Sequence, residues 1–174
     1  MSDKEPPPRG ADARLRGAPT QPELRDSEGN VRAGQTVAGP VQLPLEGASV
    51  DQCCLDYAFT LKLGKSEQSW ALRIEGDFDL AQPGGSTQRF SEAPPSGWGP
   101  AVDALLRETI SDASVTRDGT LHLRFAGGCC VEVPPTHQWE SWQLNGPGGE
   151  LIVCGPGGAL SRWPAESEDE PHLA

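Results

Sequence analysis

His137 and Glu140 place an imidazole and a carboxylate three residues apart, directly after the rigid pair Pro134-Pro135. Cys129 and Cys130 precede them closely, so the residue types of a Cys-His-Glu nucleophile lie in one short stretch. In such a site the imidazole takes the thiol proton and the carboxylate holds the imidazole in place. The strand parity derived below turns Cys129 inward and Cys130 outward, opposite Arg124, a cation that would favour the thiolate. Cys130, His137 and Glu140 are therefore the catalytic candidates. In the competing reading, His137 and Glu140 are surface residues on a loop leading into a strand.

A second group is acidic. Asp56, Glu75, Asp77 and Asp79 fall on the outward parity of two consecutive strands, with Asp56 opposite Asp77 in the simplest register. Like charges so placed repel unless they are solvated or bridged by a cation, which raises Ca²⁺ or Mg²⁺ chemistry. The strands carry no ligand loop of the calcium-binding kind, so the expectation is a solvent-facing acidic surface without metal, open to a basic protein partner. Trp139, Trp142 and Trp163 cluster nearby in sequence, with Trp70 and Trp98 elsewhere. Such rings either anchor a partner or close a small core. The expected binding surface comprises Asp56, Glu75, Asp77, Asp79, Trp139 and Trp142.

Two further motifs point away from cofactors. Gly-Pro-Gly-Gly occurs at 146–149 and again at 155–158, each time flanked by a spacer and then Leu or Val. A phosphate loop needs a following helix that opens with Lys and Ser or Thr, and neither repeat supplies one. Both read as tight turns between strands, and no cofactor is expected. The five cysteines, Cys53, Cys54, Cys129, Cys130 and Cys154, show no Cys-x-x-Cys spacing, and His122, His137 and His172 complete no zinc pattern. An odd count without a secretory signal predicts reduced thiols in a cytoplasmic protein.

The elements that must position these groups follow from period-two alternation. Cys53 to Leu63 reads as one strand, and Trp70 to Leu80 as the next, with Leu63 against Trp70, Leu61 against Leu72 and Phe59 against Ile74. Residues 81–99 break the pattern and read as an irregular loop whose Phe90 and Trp98 tuck back onto the domain. Pro100 suits a first helical position, and Val102, Leu105, Leu106 and Ile110 follow at helical spacing with an Asp103–Arg107 pair outward. Three-residue loops at 117–119 and 126–128 then pair Val115 with Leu121, Ala113 with Leu123, Leu123 with Val131 and Leu121 with Val133.

The 174 residues suffice for one domain with a real core. The apolar share of 36% is low, and the 21 Gly and 17 Pro are many, so part of the chain is expected to stay outside that core. Residues 1–40 hold few large apolar side chains and are expected to form a disordered arm; residues 164–174 are expected to form an acidic disordered tail. No stretch approaches the length of a membrane span. Net charge is −11, and residues 51–174 hold eight Lys and Arg against eighteen Asp and Glu. Such a domain repels phosphate backbones, which argues against nucleic acid as a partner.

Gly119 to Gly128 with Val131 to Pro135, then Trp139 to Gly149 and Pro156 to Trp163, form a run of turn-and-strand signatures. Together with Leu43 to Gly47 and Trp70 to Gly76, they resemble a small bacterial domain family, frequent in actinobacteria, known only as a domain of unknown function. The resemblance covers residues 41–163. It implies a compact α+β domain and no particular reaction, and the paired cysteines are peculiar to this chain. The expectation is thus α+β: a single antiparallel, meander-like sheet of about seven strands with one short amphipathic helix packed on it. A non-catalytic cytoplasmic binding domain, regulatory or of the toxin-neutralising immunity type, stands first; a small hydrolase-like enzyme using Cys130, His137 and Glu140 stands second.

Overall fold

The computed structural model describes residues 24–25, 31–91 and 99–166. The expectations for residues 1–23, for Trp98 and for the tail beyond 166 lie outside the described residues. In chain order the strands are β1 (Leu24–Arg25), β2 (Val31–Arg32), β3 (Gln35–Val37), β4 (Val41–Gln42), β5 (Ser49–Leu55), β6 (Phe59–Lys65), β7 (Gln68–Ile74) and β8 (Phe78–Ala81). There follow β9 (Thr87–Phe90), the helix α1 (Gly99–Asp103), β10 (Ile110–Val115), β11 (Leu121–Phe125), β12 (Cys130–Val133), β13 (Trp142–Asn145), β14 (Leu151–Cys154) and β15 (Leu160–Trp163).

Every pairing is antiparallel, as the alternation predicts, but the strands divide between two main sheets rather than filling one. The seven-stranded sheet runs β3-β15-β14-β13-β7-β6-β5 and the six-stranded sheet β4-β10-β11-β12-β8-β9, while β1 and β2 pair apart. One apolar core draws on both, from Phe59, Leu61, Leu72 and Ile74 on one side to Leu80, Leu121, Leu123 and Val131 on the other. The Phe59 and Phe78 rings stack across it with centroids 5.2 Å apart, and Phe90 stacks on Phe78 at 4.8 Å. Each buried side chain of this size contributes roughly 1.5–3 kcal/mol. On the outer face of the larger sheet Leu151, Val153 and Trp163 form a second, small cluster.

The two-sheet division has a local cause. β6 and β7 pair in the expected register, Leu63 with Trp70, Leu61 with Leu72 and Phe59 with Ile74. Glu75, Gly76 and Asp77 then carry the chain from β7 in one sheet to β8 in the other, so the single run Trp70–Leu80 is two strands. The run Cys53–Leu63 is likewise two strands, folded into a hairpin at Asp56-Tyr57-Ala58 with Leu55 opposite Phe59. The expected opposition of Asp56 and Asp77 is therefore not made: Asp56 lies in a hairpin turn and Asp77 in the crossing segment.

The helix is shorter than its spacing suggests. It ends at Asp103, after which the bonds tighten to i→i+3 turns (Leu105 N to the Val102 carbonyl, Leu106 N to the Asp103 carbonyl), and Arg107, at φ 69°, lies outside it, so the expected Asp103–Arg107 face does not form. Ile110 begins β10, whose pairing with β11 sets Val115 against Leu121 and Ala113 against Leu123 as expected. Part of the expected loop 81–99 is the strand β9, paired to β8 with Phe78 opposite Phe90. β3, within the expected arm, pairs with β15 through Leu160–Val37. Both Gly-Pro-Gly-Gly segments are single 3-10 turns between strands, as their composition predicts, and Gly148, Gly149, Gly157 and Gly158 all have positive φ.

Candidate functional site

Two segments pass between the sheets at the same place: Glu75-Gly76-Asp77, joining β7 to β8, and Pro134 to Ser141, joining β12 to β13. Backbone hydrogen bonds tie them together, with the N–H groups of Glu75 and Gly76 both donating to the Ser141 carbonyl at 2.9 and 3.0 Å. Gly76 packs closely there: a Cβ would stand 3.2 Å from Thr136 Cγ2, a tight contact, and 3.6 Å from the Ser141 backbone. The Ser141 hydroxyl accepts from Thr136 N at 2.6 Å, and the Thr136 carbonyl accepts from Gly157 N at 2.7 Å. Thr136 Oγ1 in turn donates to the Trp139 carbonyl and accepts from its N–H. These bonds fix the backbone at Trp139 in a tight turn.

Between these segments and the β5–β6 hairpin opens a cleft of about 770 Å³, lined by Asp56, Tyr57, Glu75, Asp77, Arg89 and Trp139 among others. Asp56 shapes its own turn by accepting from Ala58 N at 2.9 Å, an Asx arrangement that throws Tyr57 outward. Tyr57 is 99% exposed and Trp139 51%, so two aromatic rings border the cleft.

The carboxylates do not repel one another unaided. Arg73 lies between Asp56, at 3.5 Å, and Glu75, at 2.8 Å, and Arg89 lies between Asp77, at 3.2 Å, and Asp79, at 3.4 Å. Two guanidinium groups thus stand where a bridging cation was conceivable. Glu140 adds a further carboxylate: burial first, and the charge of Glu75 second, raise its pKa above the ordinary glutamate value. Five carboxylates against two arginines leave the region negative. Among the described residues, no three His, Cys, Asp or Glu side chains converge as a metal site requires.

The structure gathers Asp56, Glu75, Asp77 and Trp139 at the cleft, with Asp79 joined through Arg89. Trp142 is not among them. It is fully buried and donates its indole N–H to the Gly119 carbonyl at 3.1 Å, so it belongs to the core. Trp163 is buried on the outer face, and Trp70 is buried with no partner for its Nε1 among the described residues. The tryptophans cluster in sequence only.

Cys130 stands opposite Arg124, as the parity predicts, but at the end of β12 away from Pro134. About 10 Å of strand separates it from that loop, and the structure does not bring it to His137 and Glu140. His137 is exposed and outside the cleft lining, while Glu140 is half-buried beside it. All five cysteines are free thiols. Burial holds Cys53 and Cys154 up at about 11, and raises Cys129 as well, so these three are protonated and poorly nucleophilic at neutral pH.

The alternation sets Tyr57 with Leu55 and Phe59 on the buried parity of one strand, but the hairpin turn leaves Tyr57 99% and Leu55 42% exposed; Arg73 and Arg89 are not singled out by the sequence. Asp56 as an Asx-turn former was the available signal for Tyr57; nothing local marks Arg89 as the partner of two aspartates across a hairpin.

No helix among the described residues is long and apolar enough to cross a membrane. Comparison with curated proteins finds no match, and comparison with solved structures finds none either. Residues 41–164 match a family-wide sequence profile, over nearly the span that the turn-and-strand signatures cover. The chain belongs to the family of unknown function DUF6188.

Proposed function

We propose that this chain is a non-catalytic interaction domain whose cleft receives a basic segment of a protein partner. The observation that carries the reading is the convergence of Asp56, Glu75 and Asp77 with the exposed rings of Tyr57 and Trp139 at one opening. A Lys or Arg entering there meets carboxylates at close range and an aromatic face for a cation–π contact, worth roughly 0.5–2 kcal/mol per ring. The net charge of −11 steers basic partners and repels phosphate backbones, which supports protein over nucleic acid. Five free thiols support a reducing, cytoplasmic setting. A toxin-neutralising immunity protein would use such a face to block a basic surface, and a regulatory domain would use it to hold a basic segment.

The test is affinity capture from extracts of the source cell on immobilised wild type, Trp139→Ala and Asp77→Asn, at low and at moderate salt. Wild type should retain a basic protein that both variants release, more completely as salt rises. Equal retention by all three would move the interaction surface elsewhere. Turnover of ester or peptide substrates that vanished in Cys130→Ser would instead favour the hydrolase-like alternative.

A further inference from the structure

The two main sheets have four edges, of which two are very short and a third is covered at its start. β3 and β4 have three and two residues, too few to template another strand. On β5, Val50 accepts from Arg107 N at 2.8 Å and donates to the Glu108 carbonyl at 2.9 Å, and Cys53 Sγ reaches the Val102 carbonyl of α1 at 3.9 Å. Of the four edge strands, β9 is the one with a residue, Arg89, that lines the cleft.

Its free groups follow from the register. Gln82 N donates to the Ser86 carbonyl at 2.8 Å, closing the β8–β9 hairpin on a hydrogen-bonded pair. Antiparallel ladders alternate, so Leu80–Gln88 and Phe78–Phe90 are also hydrogen-bonded pairs, while Ala81–Thr87 and Asp79–Arg89 are not. The β12 side agrees: Ala81 and Asp79 are the residues of β8 that stand opposite Cys130 and Glu132. On β9, therefore, the backbone N–H and C=O of Thr87 and Arg89 point away from the sheet, and nothing among the described residues takes them. Thr87, Gln88 and Arg89 are all exposed.

This edge runs into the cleft, since Arg89 and then Ser91, just beyond the end of β9, line it. Resting on the reading of the cleft as the site for a basic segment, we infer that the partner binds as an extended strand added antiparallel to β9, with Lys or Arg at its N-terminal end. Main-chain hydrogen bonds to Thr87 and Arg89 would hold the strand, as in β-strand addition generally. The direction follows from geometry: an antiparallel strand lying on β9 brings its N-terminal end to the Phe90–Ser91 end, where Asp77, Glu75 and Asp56 stand. The antiparallel choice matches every other pairing in the sheet and is the more stable per residue. Charge complementarity selects the occupant, because a neutral or acidic strand gains nothing from the carboxylates.

The probe is a synthetic peptide of about ten residues, alternating Thr and Val after an N-terminal Arg-Lys, compared with one carrying Glu-Asp at that end. Amide exchange and NMR shifts of the full chain are read with and without each peptide. Thr87 and Arg89 amides should exchange freely in the free protein and slow about tenfold or more with the basic peptide only. Thr87→Pro removes an outward donor without touching the β8 ladder and should abolish the slowing. N-methylating the peptide backbone should do the same with the protein unaltered, which covers a folding failure of the variant. Protection of Thr87 and Arg89 already in the free protein would overturn the inference. Shifts confined to Tyr57 and Trp139, with the edge amides unchanged, would overturn strand addition and leave the cleft reading standing; no response anywhere would sink both. A homodimer by sedimentation that Thr87→Pro dissociates would assign the edge to a second copy and overturn the inference.

Discussion

Gly119 and Gly158 meet backbone to backbone: a Cβ on Gly119 would stand 2.5 Å from the Gly158 Cα, and one on Gly158 would overlap the Asp118 carbonyl oxygen. The contact joins the β10–β11 turn of one sheet to the second Gly-Pro-Gly-Gly turn of the other. Asp118 stiffens its side by accepting from the hydroxyls of Thr116 and Thr120, which holds its pKa below the usual aspartate value.

The glycine contact separates two costs that a positive φ alone would merge. Gly157→Ala, at φ 73° with open space around it, should destabilise the fold by about 1 kcal/mol. Gly158→Ala combines φ 85° with a backbone collision and should cost about 3 kcal/mol or more. Urea midpoints of the two variants against wild type check this, and equal losses would mean that the turns do not touch in solution. Millimolar phosphate or ATP should leave all three midpoints unchanged, as turns rather than phosphate loops require.

Trp139 and Trp142 should exchange roles under mutation. Trp142→Phe removes the indole bond to the Gly119 carbonyl and part of a buried ring, for a loss of about 1–3 kcal/mol. Partner retention by the folded variant should be unaltered. Trp139→Ala should change stability by about 0.5 kcal/mol or less and abolish retention. Thermal unfolding paired with capture on the same preparations reads both.

Glu140 makes stability depend on pH with a defined sign. Its folded pKa is raised above the ordinary 4.5, chiefly by burial, so the protonated carboxyl is favoured on folding. The stability this contributes is fully present below 4.5 and is lost as pH rises through the folded value. Glu140→Gln should therefore be more stable than wild type at pH 7, with the difference fading below pH 4.5. Denaturant titrations across that range test it, and a difference growing toward acid would reverse the assignment.

Thiol labelling should follow burial. Under native conditions a small alkylating agent should modify Cys54 and Cys130, which are partly exposed, well before the buried Cys129 and Cys154. Mass spectrometry of timed samples gives the order, and early loss of Cys154 would contradict its place in the core.

The alternation of Cys53–Leu63 made one register legible and hid one turn for the same reason. A three-residue loop at Asp56–Ala58 preserves parity, so Leu55 meets Phe59 without a break in the period-two pattern. Glu75, Gly76 and Asp77 likewise leave Ile74 and Phe78 on one parity while moving the chain to the other sheet. Local pattern marks which residues face a core within a strand but not where a strand turns, so Leu55 and Tyr57 share the parity of buried Phe59 yet are exposed; sheet membership depends on distant partners that no window contains. The glycines at 119, 128, 148 and 157 were readable because their turns demand positive φ, and each has it. Asp56, Glu75, Asp77 and Trp139 were legible by type, yet the cleft that unites them arises from two crossings that meet only in three dimensions.

The cleft reading is tested most directly by titrating the chain with a short capped peptide containing two arginines, followed by amide and indole chemical shifts. Shifts should concentrate at Asp56, Tyr57, Glu75 to Asp77 and the Trp139 indole, weaken as salt is raised, and largely disappear in Asp77→Asn. Shifts that avoid these residues, or that persist unchanged in Asp77→Asn, would contradict the assignment of the cleft as the site of a basic partner.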